Sequence, residues 1–308
     1  MFFILGADDP EMSRIEQAIK IARDDAGVAF MDYGYAGVDN KRVFPGNAYR
    51  ATQVLNADHD VLKPHYAFSG ELKPASAFVE CSVAGITPAL QIDHHNEGDV
   101  GFGATPDRFW QASSIGQAVE ALKRIAAREG ISLDKYFEPH MDDWRMAAAA
   151  DHCLSAAYQG KCPGISPDAI FEWRMQSRAA FQNVPVDELK KTVQNSVNVL
   201  KNAEPVATPD GITQTFVRLD GTIPEAPEAA AITGIAVEYQ MMDNRKGQMK
   251  VGLIGVLDPN LGKWWMEQKR AEGLDGIYGD PVRGFAGGYL PNNDNEMANR
   301  PDKPSVKL

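Results

Sequence analysis

The stretch Ile92-Asp93-His94-His95-Asn96 follows an apolar run at residues 85–90 and precedes a glycine-rich one at 97–104. It reads as a strand that ends in an acid and two imidazoles, then a loop. Such groups at a strand end can converge on a metal ion or an anion. Working outward, the same pattern returns. Residues 1–5 (MFFIL) read as a buried strand followed by Asp8 and Asp9, and residues 75–79 lead into Glu80. Strand, acid, strand, acid is the order expected of parallel strands whose carboxyl ends line a binding crevice. A single buried Glu is more often a paired structural residue; the repetition is what points to a site.

The remaining N-terminal half fits an α/β layout. A helix is expected at 11–23, with Met12, Ile15, Ala18, Ile19 and Ala22 on one face. Asp9 before Pro10 suits an N-cap, and a cap and a ligand role are compatible at a strand-to-helix turn. Residues 27–31 read as a short second strand and 32–73 as loop-rich, with Asp58-His59-Asp60 in an exposed loop. Ser113 or Ser114 caps a helix whose apolar face is Ile115, Ala118, Val119, Leu122, Ile125 and Ala126. An Ala-rich helix is expected at 143–158 and carries Asp151 and His152. An acid inside it has no capping role and is costly to bury unpaired, which makes Asp151 a ligand candidate. His152, a quarter-turn away, is either a support behind the site or a surface residue.

Two more helices, at 168–181 and 186–202, read as a connector. From about residue 208 strands and turns take over, with strands at 213–218, 234–239 and 249–256, a turn at 244–247, and a helix at 263–272. Residues 277–289 form a glycine-rich segment with one cation, Arg283. They read as a phosphate-cradling loop or as a tight turn between strands. The tail, 292–308, reads as disordered.

Bulk properties limit the function. The chain has 308 residues and a net charge of −11, which leaves no basic face for long duplex DNA. Its three cysteines, Cys81, Cys153 and Cys162, make no zinc pattern and no disulfide framework. Five apolar residues at the N-terminus are too few for a secretory leader, and no run approaches a membrane span. A cytoplasmic setting is expected. All six histidines lie in the first half, so metal or proton chemistry belongs there.

Asp93-His94-His95 resembles the motif of the DHH phosphoesterase superfamily. That group includes oligoribonucleases acting on very short RNAs, cyclic-dinucleotide phosphodiesterases and class II inorganic pyrophosphatases. Asp8/Asp9, Glu80, Asp93-His94-His95 and Asp151 stand in the order of the family's acidic motifs. Ser113-Ser114 resembles its helix start, and Arg283 through Tyr289 a variant of its C-terminal Gly-Gly loop. In three places the chain departs from the pattern. Gly6 and Ala7 stand where the first motif has a His, Glu80 stands for an Asp, and Tyr289 stands where a His is frequent.

The resemblance implies a parallel-sheet DHH-type domain at 1–162 and a helical connector at 163–205. A smaller α+β, DHHA1-like substrate domain at 206–291 would lie across a cleft. It implies a metal-dependent phosphodiesterase or phosphatase using one or two Mn²⁺ ions, with Mg²⁺ as a substitute. Asp8, Asp9, Glu80, His94 and Asp151 would be metal ligands. Asp93 would orient His94, and His95 would face the phosphate. Ser113, Ser114, Arg283, Gly287 and Gly288 would bind substrate. The substrate expected is a nucleotide, a linear or cyclic dinucleotide, or a short oligonucleotide, and a homodimer is compatible with this reading. The alternative on the same scaffold is a protein that binds or modifies nucleotides without hydrolysis.

Overall fold

The computed structural model describes residues 1–57, 62–70, 73–244 and 246–291. Asp58-His59-Asp60, Arg245 in the expected turn, and the 292–308 tail lie outside the described residues. The chain divides into two compact units, Met1–Asn195 and Ser196–Leu308, with the boundary inside the helix Val186–Lys201. The Pro167–Gln182 helix, expected in a connector, packs on the helices Met141–His152 and Leu154–Tyr158 of the first unit.

The first unit is built on a mixed sheet of six strands. In sequence they are β1 (Phe2–Leu5), β2 (Asp32–Val38), β3 (Lys41–Arg42), β4 (Gln53–Asn56), β5 (Ser76–Val79) and β6 (Leu90–Ile92). The spatial order is β3-β2-β1-β5-β6, with β4 also paired to β2. Strands β2, β1, β5 and β6 are parallel, while β3 and β4 run antiparallel to β2. Leu5 pairs with Val79, and Val79 with Ile92. The residues that follow these three therefore leave the sheet at one edge. The chain places β2 on one side of β1 and β5 on the other, so the topological switch point lies between β1 and β5. Ligand sites in open α/β sheets form outside the strand carboxyl ends at such a point.

Side chains alternate across β1. Phe2 and Ile4 join Val54, Phe78 and Val83 in one core cluster. Phe3 and Leu5 on the opposite face are also fully buried, so this strand is covered on both sides. The helices Pro10–Lys20, Ser114–Arg128 and Met141–His152 pack on one another. The first continues into a π-helical turn, Ile21–Asp25.

Two local expectations are corrected here. No strand forms at 27–31; the strand is Asp32–Val38, inside the stretch that reads as loop. The reason is close approach by β4. A Cβ on Gly34 would lie 2.5 Å from the Leu55 carbonyl oxygen, and one on Gly37 would lie 2.6 Å from the Leu55 side chain. Glycines demanded by packing mimic a loop in sequence. The helix expected at 143–158 is interrupted: Met141–His152 stops, Cys153 turns away from helical geometry (φ −152°, ψ 53°), and Leu154–Tyr158 resumes. Asp151 and His152 thus occupy a last turn. Beyond the break, the buried Cys153 and Cys162 thiols lie 3.0 Å apart, a proximity their spacing does not announce.

The second unit holds a five-stranded sheet of order β10-β11-β9-β8-β7. Its strands are β7 (Phe216–Arg218), β8 (Ala236–Asp243), β9 (Gln248–Ile254), β10 (Asp275–Asp280) and β11 (Phe285–Tyr289). Only the β7–β8 pair is parallel. The Pro259–Ala271 helix inserts Leu261 and Trp265 into a core with Phe216, Val251, Leu253 and Ala286. Of the two readings of 277–289, a phosphate-cradling loop or a tight turn between strands, the structure has the second: two paired strands and a turn. Gly287 lies inside the sheet, opposite Tyr278 on one side and Gly252 on the other. A Cβ there would meet the Tyr278 hydroxyl at 2.6 Å, and one on Gly288 would meet Leu274 at 3.2 Å. These glycines make room for neighbours.

Candidate metal centre

Strand ends supply the centre. Asp93, directly after β6, folds its carboxylate back over the chain. Its Oδ1 accepts from the backbone N–H groups of His94 (2.8 Å) and His95 (3.0 Å), a local turn that short acidic side chains favour. Gln117, on the Ser114–Arg128 helix, donates to the Asp93 carbonyl at 2.9 Å and ties the strand end to that helix. Glycine is required nearby: a Cβ on Gly101 would fall 2.5 Å from His94 Cβ.

Glu80, after β5, has a φ of +49°. Left-handed backbone costs a non-glycine residue on the order of 1–3 kcal/mol, and here it occurs where the chain delivers an acid to the site. The neighbouring Gly6, after β1, cannot bear a side chain: a Cβ would lie 2.5 Å from the Glu80 carbonyl oxygen.

Glu80, His94, His95 and Asp151 each offer a donor atom, and all four atoms lie within 4.8 Å of one another. His94 is fully buried. Its Nε2 is 3.0 Å from Asp151 Oδ2 and 3.4 Å from Glu80 Oε1. His95, 35 % exposed, has Nδ1 at 3.9 Å from the same Glu80 oxygen and 3.0 Å from Asp93 Oδ1. Glu80 Oε1 is buried without a hydrogen-bond partner, a costly state for a carboxylate oxygen unless a cation meets it. Burial raises the Glu80 carboxyl, but the His94 and His95 imidazoles outweigh it and hold it below the usual range. Mixed carboxylate and imidazole donors at this spacing fit a hard or borderline divalent ion.

Asp9 takes the cap role expected of it. Its Oδ1 caps the first helix, accepting from Met12 N–H at 2.7 Å. Burial, then the charges of Glu80 and Asp151, push its carboxyl up to about 8. Asp9 therefore stands in the field of the same acids, and a cation there would relieve all three.

Other residues are placed differently from the expectation. Asp8 is turned outward, its side chain 67 % exposed and paired with Arg42 at 3.4 Å; the helix cap claims Asp9 and leaves Asp8 on the surface. Asp93 contacts the ring of His95, whereas His94 Nδ1 faces His152 at 3.1 Å. Burial raises Asp93, but its bonds from His95 and Tyr49 hold it low. Asp151 is not buried, being 33 % exposed at a helix end. Ser113 caps its helix through Gly116 N–H at 3.2 Å and donates to the Trp110 carbonyl. Ser113 and Ser114 are both fully buried; the cap takes the Ser113 hydroxyl, and the Ser114 Oγ has no hydrogen-bond partner. Arg283 is buried in the turn after β10, where its backbone N–H donates to Asp280 and its guanidinium lies over Phe285.

Two residues of the centre escape a sequence reading. Glu11 reads as a first-turn acid that favours the helix dipole, yet it is 3 % exposed. Its Oε1 accepts from Ile115 N–H at 3.0 Å, and its Oε2 is buried without a hydrogen-bond partner. Burial, with the charges of Asp151, Glu80 and Asp9, raises its carboxyl well above the usual range. Tyr49, from the segment that reads as loop, donates to Asp93 Oδ2 at 2.9 Å. Burial and the Asp93 charge push its phenol up. The only sequence signal for Glu11 is its position two residues after Asp9; for Tyr49 there is none.

No family model matches the sequence, and no curated protein matches it. Among solved structures, a pGpG-specific phosphodiesterase, PggH from Vibrio cholerae, is similar to this chain. It shares 9% sequence identity over 97% of this chain and 96% of that one, with a TM-score of 0.43.

Proposed function

We propose that the protein is a metal-dependent phosphoesterase acting on a small phosphorylated substrate, such as a nucleotide, a dinucleotide or a short oligonucleotide. The observation that carries this reading is the convergence of Glu80, His94, His95 and Asp151, with a buried and unbonded Glu80 oxygen, at the switch-point edge of the parallel strands of a mixed sheet. The ion of this reading is Mn²⁺, which the carboxylates suit, with Mg²⁺ as a substitute. When bound, such an ion supplies Lewis acidity to a phosphoryl oxygen and to an attacking water.

The chain's own groups divide the remaining work. Asp151, Glu80 and His94 hold the ion, with Asp9 beside them. Asp93, itself fixed by Tyr49 and by two backbone N–H groups, accepts from His95 Nδ1 and sets that ring's orientation. His95, partly exposed like Asp151, is the member that meets the phosphate. The net charge of −11 favours a short ligand held by the metal over a long polyanion held by the surface.

The reading that competes is a nucleotide-binding protein without hydrolysis. It is favoured by Gly6, whose packing against Glu80 leaves the β1 turn without an imidazole.

One experiment separates them. The purified protein, with and without Mn²⁺, is assayed for products from linear and cyclic dinucleotides, mononucleotides and bis(p-nitrophenyl) phosphate. Metal-dependent turnover that Asp151→Asn lowers by at least about a thousandfold, with the fold retained by circular dichroism, is the expected outcome. Tight nucleotide binding with no product in excess Mn²⁺ would establish the binder instead.

A further inference from the structure

His94 is gripped at both ring nitrogens by consecutive residues of one helix end. Asp151 Oδ2 is 3.0 Å from Nε2. His152 Nδ1 is 3.1 Å from Nδ1, with the two rings inclined by 27°. His152 is 1 % exposed, and its far nitrogen, Nε2, lies 3.1 Å from the Ala104 carbonyl oxygen.

With both imidazoles neutral, as metal ligation requires of His94, these contacts admit one set of hydrogen-bond directions. A carbonyl oxygen only accepts, so His152 Nε2 carries the hydrogen. A neutral imidazole has one N–H, so His152 Nδ1 offers a lone pair. The contact at 3.1 Å then requires His94 Nδ1 to donate. A neutral His94 that donates from Nδ1 has its lone pair on Nε2, and that atom faces Asp151 Oδ2 and Glu80 Oε1. Three acceptors then face one another, an arrangement that a bound cation satisfies.

Resting on the metal-site reading above, we propose that His152 is a positioning residue for that site. Through the run Ala104 carbonyl, His152, His94, it sets His94 in the tautomer whose Nε2 faces the ion. Orientation of a ligating imidazole through its other nitrogen is general in metal sites and is worth about 10–100-fold in affinity. The helix break at Cys153 lets adjacent residues do this. The last turn sends Asp151 to the ion side of the ring and His152 to the rear side.

The test uses the full chain and two variants. His152→Phe keeps an aromatic ring but has no acceptor. His152→Asn places an amide oxygen near the position of Nδ1. Mn²⁺ affinity is measured by titration calorimetry without substrate, and metal-free stability by thermal melting. The expected result is a 10–100-fold weaker Kd for His152→Phe, with most of the loss restored in His152→Asn. Long-range proton–nitrogen spectra of the wild-type protein, ¹⁵N-labelled at histidine and loaded with Zn²⁺, give a second readout that needs no variant to fold. They should show His94 protonated at Nδ1 and metallated at Nε2.

Unchanged affinity in a folded His152→Phe, or His94 metallated at Nδ1, overturns the proposal. A wild-type protein that binds Mn²⁺ as expected but turns over no phosphoester overturns the hydrolytic reading alone. A wild-type protein that binds no divalent ion overturns both.

Discussion

At the scale of single residues, the centre depends on small and strained positions as much as on its ligands. Glu80 holds a left-handed backbone, and Gly6 passes its carbonyl closely enough that no Cβ fits. Gly6→Ala forces backbone against backbone, which cannot be relieved by turning a rotamer. It should cost about 1–3 kcal/mol in metal-free urea denaturation, and it should also weaken Mn²⁺ binding by shifting Glu80. Full stability with full metal affinity would show that the β1 turn is less tightly packed than the geometry indicates. The acids themselves were readable from sequence because each follows an apolar run. Glu11 and Tyr49 were not, because a first-turn Glu and a Tyr in a glycine-rich stretch have ordinary surface explanations, and only burial removes those.

At the scale of elements, three helices hold Asp151 and His152 at the sheet edge, and Asp143 joins them. Arg14 of the first helix donates to Asp143 Oδ2 at 2.9 Å, and Trp173 of the Pro167–Gln182 helix donates to Oδ1 at 2.6 Å. Burial raises the Asp143 carboxyl, but these two hydrogen bonds outweigh it and hold it below its ordinary value of 3.8. The sign follows from linkage. A carboxyl depressed in the folded state adds stability above the unfolded value, and that stability is lost as pH falls through the folded one. Asp143→Asn should therefore cost on the order of 1 kcal/mol at pH 7, a modest figure because the side chain is 43% exposed. The gap between wild type and variant should narrow below about pH 4. Denaturation curves at pH 3 and pH 7 that show the same gap would rule out this role. Helix starts such as Ser113 were legible because caps are local. The break at Cys153 was not: the Ala-rich run predicts continuation, and burial of His152 against His94 and Ala104 accompanies its end.

At the scale of the molecule, a bound ion would link metal affinity to the stability of the first unit. An ion that binds the folded centre and not the unfolded chain adds about 2.7 kcal/mol at a hundred times its Kd. Excess Mn²⁺ should therefore raise Tm by several degrees, EDTA should reverse the gain, and Asp151→Asn should abolish it; an equal rise in that variant would place the ion elsewhere. Among the described residues no helix is long and apolar enough to cross a membrane. The sequence alone determined the parallel-strand character of the first unit, the edge at which its acids gather, and the capped helices, because apolar runs, alternation and caps are short-range signals. It also carried Glu80, His94, His95 and Asp151 as candidates for one site. Only the tertiary structure decided which acids converge. Asp8 and Asp9 are neighbours in sequence, yet one turns to solvent and the other caps the helix after β1. It also decided that β2 and β11 are strands despite their glycines, which exist to admit Leu55 and Tyr278. Most of all, it decided what faces each nitrogen of His94, a relation across 58 residues that no local pattern encodes.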